Sequence, residues 1–535
     1  MLFIFVFWAA LFLLASSNSL PLQQHALYPR AQTIEWGPCP DSNQTGTLPI
    51  ECGALTVPLD YTDPSNAAVI DLELRRVAAT KGPSIGSILV NYGGPGYNGR
   101  DTLAMFGSWQ MTLSGGIYDI VLVVPRGTGN TLRFSCFSNN DQRLAAYARN
   151  PISSNASDTA LGRIWAVSQL DADTCFMAQN ETGSLIGTGF TARDFMQVVD
   201  ALDADGLLRF WGQSYGTLLG ATLAAMYPDR IERMILDGVV DLMEYTYGSD
   251  YPQYTDTDAV FSTFCTACAA NPTTCPLSQS PTNTTLSPPE IANTLTTLLT
   301  TTKQVPIPLD LSTGPYLLDA ATIKSLLYVI LYSPSAWPYY STLFAALLSP
   351  DPASLAPFLP VISALVSTSL GLDDEAVYGI RCSDKTFRAE RIEDVLPGLK
   401  QRQGASYFGD NDANFVGCAR WRFEARGRYE GDFKAKTRKG VLVVGNTGDP
   451  ATPLANAREE GGRLEGSRVL EHAGFGHSIF AQAGRCTARV VRDYWVEGTL
   501  PREGTKCEVD VGLWDGKTGW EEVVAEMDAE DSGAV

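Results

Sequence analysis

Histidine is the scarcest reactive residue in this chain: three among 535, at positions 25, 472 and 477. A histidine-rich metal centre is excluded, and chemistry that needs an imidazole has few rings to choose from. One Cys-x-x-Cys occurs, Cys265 to Cys268. Without a second such pair or a nearby histidine, it reads as a disulfide element rather than a zinc or redox site. Basic charge is also short, with 39 Lys and Arg against 59 Asp and Glu and a net charge of −20. That balance lacks the positive footprint a nucleic acid requires, so no nucleic-acid partner is expected. Strong acidity keeps an exported protein soluble. After the first residues no apolar run is long enough to cross a bilayer, so stable membrane insertion is not expected. A glycine-rich loop is present, but neither a Walker lysine nor G-x-G-x-x-G spacing follows it. No metal and no organic cofactor are called for.

What is present first is a leader. Met1 to Ala15 is apolar and is followed by the small residues Ser16 and Ser17, which suits a signal peptide over residues 1–19. The usual positive start is missing apart from the α-amino group, which leaves an uncleaved anchor open. Eleven cysteines fit an oxidising, extracellular destination. Sequence does not give their connectivity. Local pairs such as Cys39–Cys52, Cys136–Cys175, Cys382–Cys418 and Cys486–Cys507 are reasonable, with two of Cys265, Cys268 and Cys275 joined and one thiol left over. Acceptor sequons at Asn43, Asn155, Asn180 and Asn283 suit a glycosylated surface.

The most informative stretch is Trp211-Gly212-Gln213-Ser214-Tyr215-Gly216-Thr217. The apolar residues from Leu207 to Trp211 read as a buried strand, and Leu218 to Tyr227 as a helix stopped by Pro228. Chain that turns from strand to helix within one residue is strained there, and only glycine on either side lets the two elements pass. Ser214 would then stand clear of the sheet at a helix N-terminus, as a nucleophile. A serine needs a base. His25 lies in the leader. His477, beside Gly476 in a loop, is preferred over His472, which reads as a structural histidine at a strand end. A carboxylate must fix the histidine. Asp449 follows the apolar run Val441 to Val444 in a loop stiffened by Pro450 and Pro453. Asp237 and Asp241, after the strand Met234-Ile235, are rivals better read as loop-capping and hinge residues. Donors for a tetrahedral oxyanion would be the amide of Tyr215 and that of Gly94, in the loop Gly93-Gly94-Pro95-Gly96 that ends the strand from Ser87.

Strand and helix patterns alternate, which makes the chain an α/β protein. Residues 35–245 supply the first part of a sheet, with strands ending near Val90, Val124, Trp211 and Ile235. Residues 246–370 hold 9 charged residues in 125, against 18% overall, and read as an inserted, mainly helical lid. Its low charge implies an apolar surface toward the pocket, suited to a hydrophobic side chain or acyl group. Residues 371–507 return to the sheet, and residues 508–535 form an acidic tail expected to pack loosely.

The order Ser214, Asp449, His477 is that of the α/β-hydrolase triad. The whole set resembles the secreted tripeptidyl-aminopeptidase-like branch of that fold, relatives of prolyl aminopeptidases. The likeness is carried by Gly93 to Gly96, Pro125-Arg126-Gly127, Gly212 to Gly216, Leu236-Asp237-Gly238, Leu331-Tyr332, Trp337-Pro338, Cys418 to Trp421, Asp449 to Pro453 and Gly474 to Ser478. It spans most of residues 35–507. The resemblance implies a mostly parallel sheet flanked by helices and a serine hydrolase acting on peptides or small acyl compounds. It also implies that Asp384, in a Cys-x-Asp segment, is a candidate to bind a substrate's α-ammonium, against its reading as a turn residue. An exopeptidase releasing short N-terminal pieces is the leading expectation. A secreted ester or lactone hydrolase and a non-catalytic binding protein on the same fold are the alternatives.

Overall fold

The computed structural model describes residues 33–40, 46–280, 284–312, 314–367, 374–411 and 413–533. The leader, His25, Asn43 and Asn283 lie outside them. Asn155 and Asn180 are exposed.

Among the described residues twelve strands form in chain order: β1 (Gly37–Pro38), β2 (Glu51–Pro58), β3 (Val69–Val77), β4 (Ser87–Asn91), β5 (Asp119–Val123), β6 (Leu208–Gln213), β7 (Ile231–Asp237), β8 (Ile307–Leu311), β9 (Gly314–Leu318), β10 (Leu442–Gly448), β11 (Arg468–Phe475) and β12 (Lys506–Cys507). Ten of them make one sheet in the order β1-β2-β3-β5-β4-β6-β7-β10-β11-β12. Pairing is antiparallel from β1 to β5 and parallel from there to β12. β4, β6 and β10 are mostly apolar and almost wholly buried, as suits central strands of a parallel sheet. The arrangement is the α/β architecture that the alternating patterns predict; the strands expected to end near Val90, Val124, Trp211 and Ile235 do so within two residues, while β10 and β11 run on past Val444 and His472. Two apolar layers sit on opposite faces, one built around Trp211, Trp495 and Trp520, the other around Phe195, Phe210 and Leu219.

Between β7 and β10 the chain leaves the sheet. The helices Thr257–Ala270, Pro288–Gln304, Ala320–Ile330 and Trp337–Leu348, with the small β8–β9 hairpin, enclose an apolar core of their own. That core consumes the low-charge sequence: Phe264, Leu295, Leu327, Trp337 and Phe344 point into it.

The sulfurs pair as Cys39–Cys52, Cys136–Cys175, Cys268–Cys275, Cys382–Cys418 and Cys486–Cys507, leaving Cys265 free and buried. No helix among the described residues is long and apolar enough to cross a membrane.

The tail overturns one expectation. Instead of packing loosely, residues Trp520–Asp531 form a helix whose Trp520, Val523 and Met527 are buried against the main core. Its carboxylates pair with one face of the helix Arg485–Glu497: Arg485 with Glu526, Arg489 with Glu530 and Arg492 with Asp531. The acidity that suggested a solvated tail meets basic residues spaced one helical turn apart.

Candidate active site

The crossovers of a parallel sheet bring the carboxyl ends of its central strands to one edge, where ligands of such folds bind. Here β4 ends at Asn91, β6 at Gln213, β7 at Asp237, β10 at Gly448 and β11 at Phe475. The loops after these five strands carry every candidate for the serine chemistry.

Ser214 occupies the turn between β6 and the helix Tyr215–Met226, with φ 55° and ψ −126°. This is a region that non-glycine residues seldom enter, so the turn is strained. The flanking glycines make it sterically feasible. A Cβ on Gly212 would lie 2.3 Å from the carbonyl oxygen of Gly216, and one on Gly216 would lie 2.4 Å from that of Asn91. The strand, the helix and the end of β4 thus touch backbone to backbone. The Gly93–Gly94 loop presses on the same turn, since a Cβ on Gly93 would meet Ser214 Cβ at 2.8 Å and the Tyr215 amide nitrogen at 3.2 Å.

Across the sheet edge, Asp449 is fully buried after β10 and His477 is largely covered after β11. His477 Nδ1 lies 3.0 and 3.1 Å from the two Asp449 carboxylate oxygens. It also lies 3.0 Å from Thr452 Oγ1, which itself donates to Asp449 Oδ2 at 2.7 Å. The Thr452 and Ala451 amides donate to Asp449 Oδ1 at 2.8 and 2.9 Å. Burial opposes charge on both partners, yet their mutual attraction prevails. The His477 pKa is raised above its ordinary value, and that of Asp449 is held below its own. All hydrogen bonds of the His477 ring run from Nδ1, so Nε2 is unengaged among the described residues. Ser214 Oγ likewise makes no hydrogen bond to the imidazole among the described residues.

The two halves face one cleft. Ser214, Tyr215, Gly94, Thr452 and Tyr332 line it. Tyr332 comes from the inserted helical region, its ring 4.9 Å edge-on from the His477 ring, and its carbonyl accepts from the His477 amide at 2.8 Å. The remaining lining mixes the polar residues Asp241, Glu244, Asp250, Gln253, Arg381 and Asn456 with Val240, Tyr245, Pro252 and Ala451. The inserted region contributes Asp250, Pro252, Gln253 and Tyr332 to this lining, while most of its buried apolar residues pack in a core of their own.

Two further expectations concern His472 and Asp384. His472 is fully buried within β11, which runs on to Phe475. Its Nδ1 meets Thr487 Oγ1 at 2.7 Å and its Nε2 the Gln482 carbonyl at 3.0 Å. Both ring nitrogens are used, and burial lowers its pKa to about 4, so it serves as a neutral structural ring. Asp384 is a correction. Its oxygens accept from the Thr188 amide at 3.0 Å and the Thr188 hydroxyl at 2.5 Å. Thr188 in turn touches the Tyr215 hydroxyl, and Asp384 does not line the cleft. Short polar neighbours close the carboxylate off before a ligand can reach it. Asp241 caps the helix Leu242–Tyr247 through the Glu244 amide, as a loop-capping residue should.

Two family profiles match the chain, one described as the α/β-hydrolase fold over residues 92–339 and one as TAP-like protein over residues 405–507. The chain has the α/β-hydrolase fold, and its C-terminal part matches the TAP-like model. It is 28% identical over 504 residues to the serine protease Hip1 of Mycobacterium tuberculosis, covering 89% of this chain and 91% of that one. It is 26% identical over 489 residues to a tripeptidyl aminopeptidase of Streptomyces coelicolor, covering 89% and 86%. To carboxylesterase B of Mycobacterium tuberculosis it is 28% identical over 471 residues, covering 85% and 86%. It is a serine hydrolase. Within this α/β-hydrolase, pattern reading did not single out Thr452, Tyr332, Gln213 or Glu244. Thr452 alone carried a local signal, an Asp-x-x-Thr spacing in which the aspartate caps the following turn.

Proposed function

We propose that the chain is a secreted exopeptidase that removes short N-terminal peptides through an acyl-enzyme on Ser214, with His477 as base and Asp449 as its partner. His477 Nε2 takes the hydroxyl proton as Ser214 Oγ attacks the scissile carbonyl carbon. The amides of Tyr215 and Gly94 hold the oxyanion. The imidazolium, stabilised by Asp449, gives its proton to the leaving amine as the C–N bond breaks. Water then repeats the sequence on the ester, releasing the acid and restoring the serine. Five disulfides and the apolar leader support export.

The observation that carries the exopeptidase reading is the charge left over in the cleft. Asp250 is matched by Arg381 at 3.0 Å and Lys385 at 3.3 Å. Asp241 and Glu244 have no ion-pair partner among the described residues, and burial raises the pKa of both. A substrate ammonium would supply the missing positive charge at a fixed distance from Ser214, which is how an enzyme measures from a chain end. Tripeptidyl 4-nitroanilides with free and with acetylated amino termini test this. Selective cleavage of the free form is expected, as is a rise in KM of about tenfold for Glu244→Gln, one charge-assisted contact being worth roughly 1.5 kcal/mol. Asp384→Asn should leave KM unchanged.

The carboxylesterase relative favours a second reading, an ester hydrolase using the same triad. Turnover of 4-nitrophenyl esters with no cleavage of any free-amino-terminus peptide would select it.

A further inference from the structure

The mechanism leaves one fully buried carboxylate beside the triad unused. Asp237 ends β7, between the strand that delivers Ser214 and the strand that precedes Asp449. We propose that Asp237 is a positioning residue that sets Ser214 and His477 relative to one another, holding the first through its main chain and the second through its side chain. The proposal rests on the triad reading above.

The main-chain oxygen of Asp237 accepts from the Ser214 amide at 3.0 Å, pinning the strained turn at its apex. The carboxylate reaches the other way. It accepts from the Ile479 amide at 3.2 and 3.4 Å and from Gln213 Nε2 at 3.1 Å. The same Gln213 nitrogen donates to Ser478 Oγ at 3.2 Å. Asp237 therefore holds the nucleophile and Ile479 directly, and reaches Ser478 through Gln213. Its neighbour Gly238 lies against the base itself, since a Cβ there would be 3.5 Å from His477 Cε1 and 3.6 Å from Asp449 Oδ2.

The histidine loop needs such a grip. Ser478 has φ 66°, a left-handed conformation unfavourable for serine. Four consecutive amides of this loop find four separate acceptors. Gly476 donates to the Gly448 carbonyl at 2.9 Å, His477 to the Tyr332 carbonyl at 2.8 Å, Ser478 to Asp449 Oδ2 at 3.3 Å and Ile479 to Asp237. Asp237 is the acceptor in this series that is also bonded to the nucleophile. The titratable groups facing its carboxylate are His477 and Asp449. Burial first, then Asp449, push its pKa up to about 7, while His477 acts in the opposite sense. Its ionised form helps raise the His477 pKa.

The test is inactivation by a fluorophosphonate probe across pH, read as separate kinact and KI, on the full chain and its Asp237→Ala and Asp237→Asn forms, with Ser214→Ala as blank. For Asp237→Ala, kinact should fall about 100-fold, the cost of a misplacement near 1 Å, with KI changed by less than about twofold. Asp237→Asn keeps a carbonyl for Ile479, and Gln213 can turn its amide to match, so it should recover about tenfold of the loss. Both variants lose an anion facing His477, so the acid limb of kinact/KI should move to lower pH. The proposal is overturned if Asp237→Ala keeps wild-type kinact, if the loss falls in KI, if Asp237→Asn is no better than alanine, or if neither variant folds by near-ultraviolet circular dichroism. Failure of the wild type to label, or labelling of Ser214→Ala, would instead remove the triad reading, and this proposal with it.

Discussion

Replacing Gly216 by alanine puts the elbow's geometry to a quantitative test. The added methyl carbon would sit 2.4 Å from the Asn91 carbonyl oxygen and 2.9 Å from Asn91 Oδ1, where ordinary contact begins at 3.4 Å. The obstructing atom is backbone in a buried central strand, so it has no side-chain freedom with which to yield. The turn and the end of β4 must part by about 1 Å. Overpacking of this kind costs about 1–3 kcal/mol, a fall of a few degrees in Tm. The kinetic effect is larger. Asn91 leads directly into the Gly93–Gly94 loop, so the separation moves Ser214 away from the donors meant for its oxyanion. A 1 Å error in a reacting geometry costs about 100-fold in rate. Fluorophosphonate inactivation measured beside thermal melting should show a kinact loss far exceeding what instability explains. Gly162→Ala is the control. A Cβ there meets nothing within 4 Å, in the helix Ala160–Ala178, and should add about 0.5–1 kcal/mol of stability with unchanged labelling. Wild-type kinact in Gly216→Ala would refute the account of the turn.

Other outcomes follow from the same contacts. Asp449→Asn should lower kinact by about 10⁴ and shift its acid limb to lower pH, because the carboxylate that raises the His477 pKa is gone; a limb unmoved from the wild type would contradict this. His472 is neutral when folded, with a pKa of about 4 against 6.5 when exposed. The unfolded chain therefore takes up its proton first, and stability should fall by about 3 kcal/mol as pH drops from 6.5 to 4. In His472→Gln that component should vanish from the pH dependence of the urea midpoint, and an unchanged slope would be evidence against it. Trp520→Ala removes a buried ring whose Nε1 donates to the Ile479 carbonyl at 3.1 Å. It should cost about 3–5 kcal/mol and slow labelling as well, since Ile479 ends the histidine loop.

Much of the site was legible in the sequence because its signals are short-range. A strand, a serine between two glycines and a helix announce the elbow locally, and the Gly212–Gly216 contact acts within five residues, although Gly216 is also confined by Asn91 from β4. The loops with Asp449 and His477 each announce themselves by glycine or proline after an apolar run. Four disulfides, with sequence separations of 13 to 39, could be guessed as local pairs, while the choice among Cys265, Cys268 and Cys275 was made only by the fold. The α/β class followed from alternating periodicity, which is likewise a local property. Tertiary structure alone decided everything that depends on which strands become neighbours. Placing β7 between β6 and β10 turns Asp237 from a rival acid into the residue that links nucleophile to base. Packing of the inserted helices decided that most of their apolar residues face one another, while Asp241, Glu244 and Arg381 line the cleft and the Tyr332 carbonyl sits on the His477 amide. Thr188 reached Asp384 before any ligand could, and basic residues of a distant helix captured the acidic tail. A pattern along the chain records what each segment prefers. The partner that satisfies a buried polar group is chosen only when segments far apart in sequence compete for the same space.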